Sequence, residues 1–158
     1  MKIRIAFYKG KGDFINAIVR WWTGSEYSHA ELVLEDGVTW IGISPFVKSR
    51  ISRKIRLSYT PADWDFITID ITQEQFELIM QFFEDTRGQG YDWLGMLLSQ
   101  FIPYKIKHRK RWYCSQWIAH ALRTACVIDW KIARLYERKD LSPRVLYDIL
   151  RELKIEKI

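Results

Sequence analysis

The chain has 158 residues, of which 48% are hydrophobic, and its formal net charge is +6. This length and apolar content predict a single domain over residues 1–158 with a substantial hydrophobic core. No apolar run reaches the roughly 18 residues of a membrane-spanning helix, and the basic N-terminus lacks the apolar stretch of a signal peptide. We therefore expect a protein of the cytoplasm without a membrane span.

The excess of basic residues favours an anionic partner, such as a nucleic acid, a cell-wall polymer or a lipid headgroup. It is concentrated in the stretch KIKHRKR, residues 105–111. Such a run is either a solvated loop or a patch that attracts substrate. The sequence does not decide between these two interpretations.

Cys114 and Cys126 are the only cysteines, so the chain can form at most one disulfide. If one helix carries both residues, they lie about 18 Å apart along its axis, which is too far for a bond. Both are expected to be free thiols. The chain has no CxxC, HExxH or paired-aspartate loop, so neither a metal nor another cofactor is expected.

The first half of the chain predicts a strand, a helix and a hairpin. KIRIAFYKG alternates apolar and polar residues and indicates a strand, and DFINAIVRWWTG has helical spacing, with Asp13 as a possible cap and Gly24 as its end. YSHAELVLEDGVTWIGIS predicts a hairpin around Asp36 and Gly37. SRISRKIRLSY is expected to form a basic strand.

The second half predicts one more strand, WDFITIDI, followed mainly by helices. TQEQFELIMQFFEDTRG begins with Thr72 and Gln75 in capping-box positions, and SPRVLYDILREL begins with Ser142 as a cap. YDWLGMLLSQF and CSQWIAHALRTA are also predicted to be helical. This order predicts an α+β protein with an antiparallel sheet packed against helices.

Cys114 lies at the predicted start of a helix, where free N–H groups and preceding basic residues would favour a thiolate. Among the three histidines, His120 points away from it on the same helix and His108 lies in the basic run. His29 shares one face of the hairpin strand with Glu31, an arrangement typical of a site at a sheet edge. From spacing alone the pair remains either structural or catalytic.

Three stretches resemble the permuted NlpC/P60 cysteine hydrolases, the YaeF/YiiX-like group of papain-like amidases. AIVRWWTGSEYSHAELVLEDG is similar to the opening helix and YSH hairpin of that family. GQGYDWLGMLL is similar to the segment before the cysteine helix, and WYCSQW to the head of that helix. The stretches occur in the family's order over residues 13–122, and the chain after residue 125 carries no such resemblance.

The resemblance implies a circularly permuted papain-like fold in which the histidine precedes the cysteine. It implies Cys114 as the nucleophile and His29 as the general base. In relatives a third group, often Glu or His, lies across the hairpin from the histidine. No such residue stands there in this chain, since a two-residue turn would place Ser44 opposite His29. We therefore favour Glu31 as the acceptor, over Ser44 or a backbone carbonyl, although Glu31 could instead be a solvated strand residue.

The implied activity is that of a cysteine hydrolase that cleaves an amide bond, of peptide or peptidoglycan type, through a thioester. One alternative is a lipid amidase or acyltransferase whose acyl chain lies on tryptophans, namely Trp21, Trp22, Trp93 and Trp112. Another is an inactive basic module that binds nucleic acid or protein. A wall enzyme without a signal peptide would suit a phage that releases or packages it. The oligomeric state and the role of residues 126–158, as a lid or a packing layer, stay open.

Overall fold

The structure is a computed structural model that describes residues 1–11, 14–44, 50–92, 111–129 and 141–155. Its centre is a sheet of five antiparallel strands: β1 (Lys2–Tyr8), β2 (His29–Val33), β3 (Thr39–Gly42), β4 (Ser52–Ile55) and β5 (Trp64–Asp70). The strand order is β4-β3-β2-β1-β5. β1 and β2 are thus inner strands, and β4 forms one edge.

Within the described ranges, four helices accompany the sheet: α1 (Phe14–Thr23), α2 (Gln73–Thr86), α3 (Cys114–Thr124) and α4 (Pro143–Ile155). A single 3₁₀ turn, Pro61–Asp63, precedes β5, and two short parallel strands, β6 (Gly90–Tyr91) and β7 (Arg111–Trp112), form a second small sheet. The expected α+β class with an antiparallel sheet and helices is confirmed. No helix in the described ranges has the length and apolarity needed to cross a membrane.

The main core lies between the sheet and helices α2, α3 and α4. Alternating residues of β1 and β2 supply the sheet side of this core, namely Ile3, Ile5, Phe7, Ala30 and Leu32. The α3 residues expected on the buried face, Trp117, Ile118, Ala121, Leu122 and Ala125, are all buried. The indole N–H of Trp117 donates to Thr86 Oγ1 at 2.9 Å, which ties α3 to α2. The position of Cys114 is therefore determined by a well-packed helix.

The opposite face of the sheet carries a second, aromatic cluster. Trp40 and Trp64 are buried there together with Ala6 and Val33, and Tyr8, Tyr59 and Phe66 pack against them. The ring centroids of Trp40 and Trp64 are 5.0 Å apart in an edge-on arrangement. As a result β2 is covered on both faces.

Several local predictions are confirmed by the backbone. Thr72 and Gln75 form the complete capping box of α2, and Gly24 ends α1 in the left-handed region with φ 58°. Ser142 Oγ accepts from the backbone N–H of Val145 at 3.3 Å at the start of α4. Asp13, residues 93–101 of the predicted YDWLGMLLSQF helix and all but the last residue of the basic run lie outside the described residues.

Two expectations about the hairpin are wrong. Its connection is a four-residue loop, residues 35–38, and not a two-residue turn: the backbone N–H of Leu34 donates to the carbonyl of Thr39 at 2.9 Å, and inside the loop the carboxylate of Asp36 accepts from the backbone N–H groups of Val38 and Thr39. The predicted register nevertheless occurs, with Leu32 opposite Ile41. The site strand β2 is also not an edge strand, since β1 and β3 flank it.

Candidate active site

His29 is the first residue of β2, and its side chain is mostly buried. Its Nε2 atom lies 2.9 Å from Oε1 of Glu31, which follows two residues later on the same strand face. Because this contact occupies Nε2, Nδ1 is the ring nitrogen left for a second partner. Cys114 is the group that acts on it from the other side, because α3 packs on β2 and the Cys114 thiolate is the largest cause that raises the pKa of His29.

Cys114 is the first residue of α3 and is 4% exposed. The backbone N–H groups of Ala30 and Ser115 stabilise its thiolate and so act to lower the pKa of the thiol. The hydroxyl of Ser115 donates to the carbonyl oxygen of Leu141 at 2.5 Å, which fixes the first turn of α3 to the segment before α4. The sulfur therefore sits at the N-terminus of α3, next to strand β2.

The charges of His29 and Cys114 support each other. Burial by itself lowers the pKa of His29, but the Cys114 thiolate and the Glu31 carboxylate raise it to about 9. Burial raises the pKa of the Cys114 thiol, and the nearby imidazolium together with the backbone donors outweighs this and lowers it. The arrangement favours a thiolate–imidazolium pair, which is the nucleophilic form of a cysteine.

Glu31 is 1% exposed, so it is not the solvated strand residue that its sequence position allows. Burial raises the pKa of its carboxyl, but His29 and Lys54 lower it to about 2. Lys54 Nζ lies 2.5 Å from Oε1 and Arg56 Nη2 lies 3.6 Å from Oε2. An ionised carboxylate in this interior position is paired with cations, as buried charges must be.

Gly42 provides the space for this carboxylate. Continuing the β2–β3 register places Gly42 opposite Glu31, and a Cβ atom added to Gly42 would lie 3.2 Å from Glu31 Cγ. Contacts that close are rare in proteins, so any larger residue would displace the Glu31 side chain. Glycine at this position lets the long side chain lie flat across β3.

The structure brings together His29, Glu31 and Cys114, which are the three residues singled out from the sequence. The group bonded to the His29 ring is the carboxylate of Glu31, and not Ser44 or a backbone carbonyl. His120 lies elsewhere, 5.1 Å from the Trp112 ring centroid, and His108 falls outside the described residues.

Other residues singled out from the sequence have different surroundings. The hydroxyl of Tyr27 donates to Asp65 Oδ2 at 2.8 Å, and its ring packs on that of Phe7. The Trp112 ring contacts Phe82 and its N–H donates to Gln89. Cys126 is exposed, and neither cysteine is bonded to the other. Trp93 and the side chain of Trp22 are outside the described parts of the chain.

Sequence reasoning missed Lys54, Arg56 and Gly42. The basic character of β4 was visible, but the link from β3 to β4 crosses residues 43–51, which contain no turn motif that sets a register. Trp40 turns out to pair with Lys54. This pairing points the Lys54 side chain to the same face as Glu31, where a sequence pattern alone cannot place it.

The described residues contain no group of three or more His, Cys, Asp or Glu side chains that could hold a metal ion. No protein-family model and no curated protein sequence matches the chain. The chemistry that these residues can perform therefore has to be inferred from the geometry of His29, Glu31 and Cys114.

Proposed function

We propose that the chain is a cysteine hydrolase of the circularly permuted papain-like type, which cleaves an amide bond of a peptide or peptidoglycan-type substrate. The observation that carries this proposal is that His29, whose Nε2 bonds to the buried Glu31 carboxylate, interacts with the thiol of Cys114 at the start of the adjacent helix α3. Nucleophile, base and orienting group in this relation are the parts of covalent acyl-transfer catalysis.

In the first half of the reaction the Cys114 thiolate attacks the substrate carbonyl carbon, and the π electrons of the carbonyl move onto its oxygen. The backbone N–H of Cys114 at the start of α3 donates to the oxyanion. The His29 imidazolium then protonates the nitrogen of the leaving amine while the carbon–nitrogen bond breaks. A thioester on Cys114 and a free amine remain.

In the second half neutral His29 takes a proton from water, and the resulting hydroxide attacks the thioester carbon. The carbon–sulfur bond breaks, the acid product leaves, and the thiolate–imidazolium pair is restored. Glu31 keeps the imidazole ring oriented in both halves through its bond to Nε2. The net charge of +6 favours a substrate that carries negative charge near the amide.

The proposal is tested by comparing the alkylation rates of the two cysteines with iodoacetamide. Cys126 is exposed and Cys114 is nearly buried, so accessibility alone would make Cys126 react faster. A thiolate at Cys114 reverses this order, and its rate should titrate below the free-thiol pKa of about 8.5. The thiolate ultraviolet absorbance of Cys126→Ser, compared with Cys114→Ser/Cys126→Ser, reports the same ionisation without a reagent.

The matched variant is His29→Gln. It should raise the pKa of the Cys114 thiol, so that Cys114 is no longer alkylated faster than Cys126. A screen of peptide, cell-wall peptide and lipid amides for released amine then identifies the substrate class, with Cys114→Ala as the inactive control. Slow alkylation of Cys114 together with an unperturbed thiolate titration would overturn the proposal.

A further inference from the structure

Two basic side chains from the edge of the sheet reach the Glu31 carboxylate. Lys54 lies on β4 and Arg56 directly after it, while Glu31 lies on β2, so the intervening strand β3 must be crossed. Lys54 Nζ contacts Oε1 at 2.5 Å, and Arg56 Nη2 lies 3.6 Å from Oε2. Side chains two strands apart start roughly 10 Å from each other, so only long side chains can make these contacts.

The surroundings of Arg56 hold it in this position. Its guanidinium lies 4.5 Å from the ring centroid of Trp40 and 5.0 Å from that of Trp64, and its backbone N–H donates to the carbonyl of Val38 at 2.8 Å. Stacking on two indole rings restricts a guanidinium to one place and orientation. The aromatic cluster on this face thereby becomes a support for the site.

The hydrogen bonds to Glu31 are unequally distributed between its two oxygens. His29 Nε2 and Lys54 Nζ both contact Oε1, whereas Oε2 has no hydrogen-bond partner among the described residues. One negative charge is thus shared between an imidazole and two permanent cations. How strongly Glu31 acts on His29 depends on how much of that charge the cations offset.

We propose that Lys54 and Arg56 are positioning residues of the site, which orient the buried Glu31 carboxylate and limit its pull on the proton of His29. This inference rests on the proposed hydrolase function, because it assigns the two cations a part in setting the base. An imidazole bound by an unshared carboxylate would keep its proton too firmly to pass it to the leaving amine.

Other groups also face the two titrating side chains. On His29 they are Cys114 from α3, Glu31 from its own strand and Tyr8, its partner residue on β1. Tyr91 of β6 faces Cys114. Burial raises the pKa of Tyr91 most, and the negative charge of the Cys114 thiolate raises it further. Among the described residues, Lys54 and Arg56 contact Glu31 from the β4 side, so substitution there isolates their effect.

The first variant is Lys54→Met, and its matched control is Arg53→Met. Arg53 is the preceding residue on β4, but its guanidinium lies over the Phe83 ring, 5.4 Å from the centroid, on the opposite face of the sheet. NMR titration of the His29 ring measures its protonation directly and requires no turnover. Lys54→Met should raise the midpoint by about one pH unit, because the full charge of Glu31 then acts on His29.

The remaining variants separate a charge effect from a loss of structure. Arg56→Met should raise the midpoint less than Lys54→Met, since it is farther from the carboxylate, and Arg53→Met should leave it unchanged. Lys54→Arg keeps the charge and should restore the wild-type midpoint. Glu31→Gln should lower the midpoint by about one to three units, opposite in sign to the lysine variant.

The kinetic expectation is that Lys54→Met lowers kcat for an amide substrate with little change in KM. It should also move the alkaline limb of the pH–rate profile to higher pH. A midpoint in Lys54→Met that stays at the wild-type value or falls, in a variant with a native circular dichroism spectrum, would overturn the inference. If the midpoints shift as expected but wild-type protein cleaves no amide, the cation network stands and the hydrolase proposal fails.

Discussion

Glu31 is a charged residue in a position that is usually apolar, on an inner strand with both faces covered. Removing a carboxylate from water costs several kcal/mol, and its ion pairs repay this only with good geometry. Lys54, Arg56 and His29 together supply that geometry. Because an apolar side chain could fill the same space at no such cost, the charge is better explained by a task at His29 than by stability.

Gly42→Ala tests whether the room above β3 is needed for this task. The added methyl group would lie 3.2 Å from Glu31 Cγ, so the carboxylate has to move away by a few tenths of an ångström. We expect the contact with His29 to weaken, and the NMR titration midpoint of His29 to fall by about half a pH unit, part of the loss expected for removing the charge altogether. The rate of Cys114 alkylation at neutral pH should fall with it.

The control for this substitution is Gly90→Ala, because a Cβ atom at Gly90 has no atom within 4 Å. Neither glycine is among those with positive φ, so alanine fits both backbones. Replacing glycine in this way commonly stabilises a protein by about 0.4–1 kcal/mol through the unfolded chain. An unchanged His29 midpoint in Gly42→Ala would show that Glu31 tolerates the methyl group without losing its position.

At the scale of secondary structure, the features that follow from short-range rules were predictable, apart from the length of the hairpin loop. The α2 capping box, the left-handed Gly24 after α1 and the hairpin register all depend on residues only a few positions apart. The buried stripe of α3 follows from helical spacing alone. These signals also brought His29 and Glu31 onto one strand face, which is why that part of the site was predictable.

The parts that could not be predicted depend on contacts between distant strands. Nothing in residues 29–33 indicates that a tryptophan cluster from β3 and β5 covers the outer face, so Glu31 appeared free to be solvated. The partner of Glu31 on β4 depends on a register that no turn motif sets. The expectation that β2 contacts the start of α3 came from the family resemblance, since no local pattern relates positions 29 and 114.

Thr72→Ala tests the element-scale claim that the α2 cap is a stabilising unit. Thr72 Oγ1 accepts from the backbone N–H of Gln75 at 3.1 Å, and the Gln75 side chain accepts from the backbone N–H of Thr72 at 3.0 Å. Loss of the hydroxyl should lower the free energy of unfolding by about 1 kcal/mol, measured by urea denaturation. Thr72→Ser keeps the hydroxyl and should retain most of the stability; equal losses in both variants would argue against the cap.

At the scale of the whole molecule, the candidate site is assembled from three separate parts of the chain. The hairpin strand β2 supplies His29 and Glu31, the late helix α3 supplies Cys114, and the edge strand β4 supplies Lys54. β4 is at one edge of the sheet, and its charged side chains also discourage that edge from pairing with a strand of another chain. Pairing of β2, β3 and β4 therefore brings Lys54 to Glu31.

Acid denaturation should expose this coupling between the charge of Glu31 and the fold. The pKa of Glu31 is about 2 in the folded protein and about 4.5 when unperturbed. A depressed pKa means that its stabilisation is complete above the unperturbed value and is lost as the pH falls towards the folded one. The unfolding free energy of wild type relative to Glu31→Gln should thus decrease by about 3 kcal/mol as the pH falls from about 5 to about 2. Urea titrations at each pH measure it, with the exposed Glu84→Gln as the carboxylate control, and a difference independent of pH would mean that Glu31 is not held ionised by its partners.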